Sequence, residues 1–518
     1  MKKLLPIIVA SSLIKLVLIW TGACERGLLA DDAYYYFTIA RNMANGLGPT
    51  FDGIGLTNGF HPLWQLLIVP FFLPPGLWVP VHLALTVTVL FDILSGVLIF
   101  RITRRITLSD TATAIACILW AFFPSTLLGL RGMESSLSVL TVLLSMHFTL
   151  AALDTNFSMR SSVVSGVALA LAGLARTDNL PCLAVATAGV VLFAAHDRKV
   201  QQSAWRWWLC QGVIATILVA PWFVWNWREF GMLVQVSGQI KLHAPGLFGA
   251  LPPWEDSFGG NVRVLGHRLL APLLTPMRFL LGEEFHAGVL TPILTLIVAG
   301  LFLVPISLAA VDLGRSQSTR PVFVFAGGWL LTHVVLFSFV WSSYASWYAL
   351  VPMALLAILV AAACVTGALA RRRWTRSVTL SALSMVAIVI YIMPLARHTR
   401  ETTPPDTRFG ARLATVEGLT PEPVLGAFNA GALGYLATSR YGLTVVNLDG
   451  LVNNRVYEAL KAHRYVEYVE ETVDIMFEDP KRAAGLVTAD DVMRLDDMYR
   501  RQEDQLWHRV PPRGLLSR

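Results

Sequence analysis

Asp31-Asp32-Ala33-Tyr34-Tyr35-Tyr36-Phe37-Thr38-Ile39-Ala40-Arg41-Asn42 lies just past the first apolar run of a 518-residue chain, and after a glycine-rich turn it is followed by Thr57-Asn58-Gly59-Phe60-His61-Pro62-Leu63-Trp64. Two adjacent carboxylates at a membrane face are costly to hold there, which marks them as a working group. The spacing is helical from Asp31 to Asn42. Asp31, Tyr34, Tyr35, Thr38 and Arg41 fall on one face, and Ala33, Phe37 and Ala40 on another. Such a helix is expected to lie along the membrane surface. At its start, Asp31 can cap free backbone N–H groups, and the helix dipole helps to keep its neighbour ionised. A cap beside a solvated acid is the structural alternative to a functional pair.

The flanks of this stretch define the class. The chain is 55% hydrophobic and only 14% charged, with a mean hydropathy of +0.58, and apolar runs of spanning length recur to about residue 395. Windows of about 20 apolar residues fall near 4–22, 78–100, 111–129, 134–151, 161–175, 179–195, 207–226, 288–310, 321–341, 345–367 and 377–395, about eleven crossings. The run 61–73, closed by Pro74-Pro75-Gly76, is too short to span and reads as an interfacial or re-entrant helix. The expected fold is a polytopic α-helical membrane protein.

Charge bias orients it. With the N-terminus cytoplasmic, inner segments carry Lys2, Lys3, Arg101, Arg104, Arg105, Arg160, Arg198, Lys199, Arg206, Arg315, Arg320, Arg371, Arg372, Arg373 and Arg376. The short outer segments hold only Arg26, Arg41, Arg131 and Arg176. The net charge of +7 is thereby explained by a plasma (inner) membrane and not by nucleic acid. Met1-Lys2-Lys3, the apolar run to Trp20 and Thr21-Gly22-Ala23-Cys24 imitate a lipoprotein-type signal, but Lys15 interrupts the core and further spans follow, so a retained first helix is expected. Cys24, Cys117, Cys182, Cys210 and Cys364 sit in or beside apolar runs without C-x-x-C spacing, which suggests neither zinc nor a disulfide framework.

This orientation collects the unexplained ionisable groups outside. The first outer loop, 23–77, holds Asp31, Asp32, Arg41 and His61, the second Arg131 and Glu134, and the third Arg176 and Asp178. The fourth, 227–287, carries Lys241 and His243. Moving a sugar from a phosphate leaving group to a hydroxyl needs a carboxylate near the acceptor oxygen and cations near the departing phosphate. Asp31 or Asp32 supplies the first, and Arg41, Arg131, Arg176 and Lys241 are candidates for the second. His61 before Pro62 suits a helix start and can equally be a satisfied interfacial histidine. Asp31, Asp32, Asp178 and His61 or His243 have the donor chemistry for Mg or Mn, although no diagnostic ligand spacing is present.

Several features have plainer readings. Asp92, His147 and His333 inside spans are few and scattered, as expected of helix–helix hydrogen bonding and not of a transport path. Trp207, Trp208, Trp222, Trp225 and Trp227 read as aromatic belts. Residues 396–518 become charged and alternating, with strands expected at 423–428, 443–447 and 473–477 and helices at 432–439, 453–463 and 464–471, an extracytoplasmic α/β domain following the 1–395 membrane module. Gly426, Gly431 and Gly434 miss the G-x-G-x-x-G spacing and read as a tight strand-to-helix turn. Asn447 and Asp449 fit either an acceptor contact or a turn.

The acidic pair, the aromatic helix ending Arg41-Asn42, Gly46-Leu47-Gly48-Pro49 and the Thr57–Trp64 block together resemble the first outer loop of GT-C glycosyltransferases, polytopic enzymes that use polyprenyl-phosphate sugars. The resemblance continues through Gly132-Met133-Glu134, Ala175-Arg176-Thr177-Asp178 and Phe230–Val234 leading to Ser237-Gly238-Gln239-Ile240-Lys241. It reaches Gly442–Asn453, which is similar to a segment of the mycobacterial terminal arabinofuranosyltransferase family. It implies Asp31 as the catalytic carboxylate, with Asp32 supporting it or orienting the acceptor, and Lys241 on the donor phosphate. Glu134, Arg176 and Asp178 would frame the cavity, with Tyr35, His61, Gln239 and His243 as further substrate contacts. Val234-Gln235-Val236-Ser237 stands where the arabinosyl enzymes have Val-Pro-Ser, and Tyr34-Tyr35-Tyr36 replaces aliphatic residues, so the sugar itself stays open. The function expected is transfer of a sugar, arabinofuranose on this resemblance, from a polyprenyl-phosphate carrier to a glycan, lipid or protein acceptor. A transporter or flippase of lipid-linked sugars is the rival.

Overall fold

The structure is a computed structural model. It describes residues 5–122, 128–194, 198–244, 264–265, 290–341, 344–366, 404–419, 421–503 and 505–510. The apolar run expected at 377–395, the basic cluster Arg371–Arg376 and most of the fourth outer loop beyond residue 244 lie outside the described residues.

Helices stand where apolar windows run unbroken. They are α1 (Leu5–Trp20), α4 (Val79–Thr107), α5 (Asp110–Phe122), α6 (Ser135–Asp154), α7 (Met159–Ala175), α8 (Asn179–Ala194) and α9 (Arg198–Phe230). Later come α11 (Leu290–Arg315), α12 (Arg320–Val335) and α13 (Leu350–Ala363). Among the described residues, five helical stretches are long and apolar enough to cross a membrane: Val79–Thr107, Ser135–Asp154, Lys199–Phe230, Arg320–Val340 and Ser346–Ala363. Shorter apolar helices pack among them, with α9 along α7, α12 along α8, and α6 between α4 and α7. The protein is thus a polytopic helical membrane protein.

Several small polar side chains within the bundle return their hydrogen bonds to their own helix, as a medium without water favours. Thr141, Ser145 and Thr149 return their hydroxyls to the carbonyls of Leu137, Thr141 and Ser145 at 2.9, 3.0 and 2.7 Å, letting α6 bury small polar residues. Lys15 of α1 meets Asp92 of α4 at 2.6 Å, and the Trp120 indole donates to the Asp92 carbonyl at 2.9 Å. Both ends of the Lys15–Asp92 pair are 3% exposed, so it stitches two helices out of reach of solvent.

At one end of the bundle lie α2 (Asp31–Ala44), α3 (Pro62–Ile68, continued as a 3-10 turn to Phe72) and α10 (Val236–His243). The sequence suggests that α2 lies along the membrane surface. Instead Ala33–Ala40 and Asn42 are all buried, because the tail packs over it. The tail comprises α14 (Pro405–Ala414), β1 (Leu425–Ala427), α15 (Gly431–Leu436), β2 (Val445–Asn447), α16 (Asn454–Lys461), α17 (Tyr465–Thr472), β3 (Ile475–Met476), α18 (Ala489–Met498), β4 (Tyr499–Arg501) and β5 (Trp507–Arg509). Its sheet order is β2-β1-β3-β5-β4, parallel across the first three strands and antiparallel across the last. The β1–α15 turn points the N-terminus of α15 at α2, so the two share one hydrophobic core.

Candidate active site

The chain enters α2 through Ala30, whose N–H donates to the Arg131 carbonyl at 3.0 Å. Gly132 sits at φ +79°, and a Cβ there would lie 2.7 Å from that of Ala33. Glycine is what lets the 131–134 turn press against α2, and the close approach brings Arg131 and Glu134 beside the acidic pair. Glu134 begins α6 and Arg176 ends α7, so the site is assembled from helix ends.

Glu134 organises the middle of the site. It receives the Arg176 guanidinium at 2.5 Å and the Tyr36 hydroxyl at 2.9 Å, with the His61 ring at 3.8 Å. Arg176 also binds Asp178 at 3.0 Å and lies 4.4 Å over the Tyr348 ring. Burial pushes the Asp178 carboxyl up, but the Arg176 charge prevails and holds it below its ordinary value. Burial pushes the His61 ring below its usual range, and its Nδ1 contacts Gln235 at 3.1 Å.

The α10 helix contributes Lys241. Its start is fixed by Asn58, whose side chain accepts from the Val236 N–H at 3.0 Å and donates to Asn226 at 3.2 Å. Lys241 Nζ donates to the Tyr348 hydroxyl at 3.1 Å. Burial works against its charge, yet Tyr348 and Asp32 raise its pKa overall. Arg131 lies 5.3 Å over the Trp347 ring, and burial brings its pKa down to about 10 against the opposing pull of Asp32.

Asp32 faces these cations. It lines a cavity of about 50 Å³ with Tyr35, Tyr36, His61, Glu134, Lys241 and Tyr348, which adjoins a second of about 70 Å³ bounded by Asp178, Gln235 and Trp341. Among the described residues no hydrogen bond ties down its carboxylate. Its pKa is raised by burial, with Lys241 and Arg131 pulling it down and Glu134 adding to the rise. A partly desolvated carboxylate flanked by two cations can take a proton from a hydroxyl while the cations hold an anion.

Asp31 points the other way. It accepts from the Gly431 and Ala432 N–H groups at 3.0 and 2.9 Å, so it caps a helix, but one 400 residues onward and not its own. Arg41 is also outside the cavity, donating to the Gly76 carbonyl at 2.7 Å and the Tyr435 hydroxyl at 3.0 Å. Gln239 and His243 face α16, the former 3.5 Å from the Tyr457 hydroxyl and the latter ring-to-ring with Tyr457 at 6.1 Å. Tyr35 lines the cavity while its hydroxyl accepts from Asn447 at 3.1 Å. The structure thus gathers Asp32, Tyr35, His61, Arg131, Glu134, Arg176, Asp178 and Lys241, and leaves Asp31, Arg41, Gln239 and His243 at the contact with the tail. Sequence reasoning passed over Tyr36, Gln235, Trp347, Tyr348 and the backbone of Leu451 and Val452. Trp347-Tyr348 at the mouth of a span was the available signal.

Among the described residues, no group of three or more His, Cys, Asp or Glu side chains is arranged to hold a metal ion. Of the candidate ligands, Asp178 is bound to Arg176, Asp31 to two amides, and His243 lies apart. Among the described residues these candidates are not gathered into one ligand set.

A family model described as dolichyl-phosphate-mannose-protein mannosyltransferase matches residues 82–225. No curated protein matches the chain at a significant level. Among solved structures, ArnT from Cupriavidus metallidurans bound to undecaprenyl phosphate aligns over 96% of this chain and 97% of its own, at 15% identity and a TM-score of 0.59. The archaeal oligosaccharyltransferase AglB from Archaeoglobus fulgidus, in complex with an inhibitory peptide and a dolichol-phosphate, aligns over 98% of this chain and 74% of its own, at 15% identity and a TM-score of 0.55. The fold is shared with these proteins.

Proposed function

We propose that the protein is an integral membrane glycosyltransferase that moves a sugar from a polyprenyl-phosphate carrier to an acceptor hydroxyl on the extracytoplasmic side, with Asp32 as the base. The observation that carries this reading is the placement of Asp32 in one cavity with Lys241 at the ends of the helices, with the Arg131 charge near enough to pull on the same carboxylate. The acceptor oxygen attacks the anomeric carbon, the carbon–oxygen bond to phosphate breaks with its electron pair leaving on polyprenyl phosphate, and the acceptor proton passes to Asp32. Lys241 and Arg131 take the charge that develops on the phosphate. Arg176 already balances Glu134 and Asp178 and serves as a frame. No step is routed through a metal ion.

Because Asp31 is bound to the tail and Glu134 to Arg176 and Tyr36, Asp32 acts without a second carboxylate. This supports direct displacement with inversion over a two-carboxylate retaining route. An apolar groove of about 1060 Å³, lined by Leu169, Trp208, Val213, Val224 and Leu233, ends one residue from Val234 and two from Gln235 of the cavity. Its occupant in this reading is the prenyl chain. Arabinofuranose is the first donor sugar to test, on the likeness of Gly442–Asn453, and mannose the second, on the description of the family model.

The experiment measures polyprenyl-phosphate release by wild type, Asp32→Asn and Asp31→Asn from arabinofuranosyl and mannosyl prenyl phosphates, with membrane glycan as acceptor. Turnover lost in a folded Asp32→Asn supports the assignment. No turnover with any donor, alongside transport of the same lipids, would replace it with the transporter reading.

A further inference from the structure

The Asp31 carboxylate receives two backbone N–H groups and little else, from a segment far away in sequence. The fit around that contact is close. A Cβ on Gly431 would lie 2.1 Å from the Asp31 carbonyl oxygen, and one on Gly59 would lie 2.3 Å from the Leu451 carbonyl oxygen, so neither position has room for a side chain. Two further links tie the same surfaces. Asn447 donates to the Tyr35 hydroxyl at 3.1 Å, and the Asn454 side chain to the Asn58 side-chain amide oxygen at 3.0 Å.

Between these links runs the segment Leu448–Asn453. Asp449 shapes it, accepting from the Asn429 and Leu451 N–H groups at 2.9 and 3.0 Å, and Gly450 turns at φ +81° against Ile240. The turn delivers Leu451 and Val452 to the wall of the cavity that holds Asp32. The tail therefore forms one side of the site, and its position depends on contacts at Asp31, Tyr35 and Asn58-Gly59.

We propose that Asp31 is a positioning residue that seats the tail on α2, so that the 449–452 turn closes the acceptor side of the cavity, while its neighbour Asp32 faces the reacting atoms. The proposal rests on the glycosyltransferase reading for its kinetic consequence and on the geometry alone for the seat. Asparagine at 31 keeps one carbonyl oxygen but replaces the second acceptor by an NH₂ that opposes an amide donor. Alanine at 431 breaks the same contact from the tail side by crowding.

The test uses the full chain in lipid nanodiscs, as wild type, Asp31→Asn, Gly431→Ala and Asp32→Asn. Hydrogen exchange is followed at residues 429–436 and 449–454, and kinetics are measured with acceptor varied at saturating donor. Asp31→Asn and Gly431→Ala should each speed exchange in both segments by about tenfold or more. They should also raise KM for acceptor about tenfold, with kcat within about threefold of wild type. Asp32→Asn should exchange as wild type and lose kcat. Unchanged exchange in Asp31→Asn and Gly431→Ala would overturn the seat, and loss of kcat in Asp31→Asn with unchanged exchange would place Asp31 at the chemistry. Faster exchange with an unchanged KM would overturn the role of the 449–452 wall. If wild type turns over no donor, the glycosyltransferase reading fails, while the exchange arm still decides the seat.

Discussion

Charges in the middle of the helix bundle and charges at its end follow different rules. Between α1 and α4, Lys15 and Asp92 meet one to one at 2.6 Å, both almost fully buried. At the end of the bundle the pairing is unequal, with Arg176 shared by Glu134 and Asp178, and Asp32 set against Lys241 and Arg131 with no hydrogen bond to its carboxylate among the described residues. A pair sealed between two helices lies out of a ligand's reach. An open set keeps a carboxylate and cations aimed into a cavity, which is the arrangement that charge-stabilised transfer requires.

The sharpest way to break this comparison is to neutralise one acid from each set. Asp32→Asn is expected to lower kcat roughly 100- to 10,000-fold, the range for losing a general base, with the melting temperature nearly unchanged. Asp92→Asn is expected to act on stability, because it strands the Lys15 ammonium in the bundle, at about 3–5 kcal/mol of unfolding free energy. Adding Lys15→Met to Asp92→Leu should restore most of that stability, since removing both partners leaves no buried charge. Thermal unfolding in detergent and turnover of the same samples check both halves. A catalytic loss in Asp92→Asn equal to that in Asp32→Asn would erase the distinction.

The cations can be divided in the same way. Lys241→Met removes a charge facing Asp32 and is expected to cost about 100-fold in kcat/KM for donor, near the loss of one donor to a developing anion. Arg41→Met removes a cation that binds Gly76 and Tyr435, and its effect should be confined to stability, at about 1–2 kcal/mol. Steady-state kinetics on prenyl-phosphate sugar together with unfolding curves separate the two. Equal donor KM effects would return Arg41 to the phosphate.

The helices were readable because an apolar window of about 20 residues leaves little alternative in a bilayer. The parallel strands β1, β2 and β3 were readable from short apolar runs between turns. The strands Tyr499–Arg501 and Trp507–Arg509 were not, since they are short, charged and partly exposed, with Tyr499–Arg501 at the sheet edge. The acidic pair shows where local pattern ends. Adjacent helix residues point about 100° apart, so Asp31 and Asp32 cannot share a task, but which of them faces the cavity depends on where the β1–α15 turn docks. Arg41 likewise had the right charge on the right helix and was turned by Tyr435 to another contact. Trp347 and Tyr348 were passed over because their partners Arg131, Arg176 and Lys241 come from three separate segments.

The smallest expected effect is a slope in pH. Burial, with the neighbouring acids Asp32 and Asp449, raises the Asp31 carboxyl from 3.8 to about 7, against the two amides of Gly431 and Ala432 that favour its ionised form. A folded-state pKa above the unfolded one means that the native protein binds the proton more tightly. The stability contributed by this proton is fully present below about pH 4 and is lost as pH rises toward 7. The wild-type melting temperature should therefore fall across that window on account of Asp31. Asp31→Asn has no proton to lose, so it should show a constant offset from the missing acceptor and a shallower slope. Asp32 and Asp449 are raised in the same direction and remain in both proteins, so the difference between the two curves reports Asp31 together with its coupling to these two acids. Parallel curves from pH 4 to 8 would mean that Asp31 stays ionised throughout, held by the tail amides more strongly than burial opposes it.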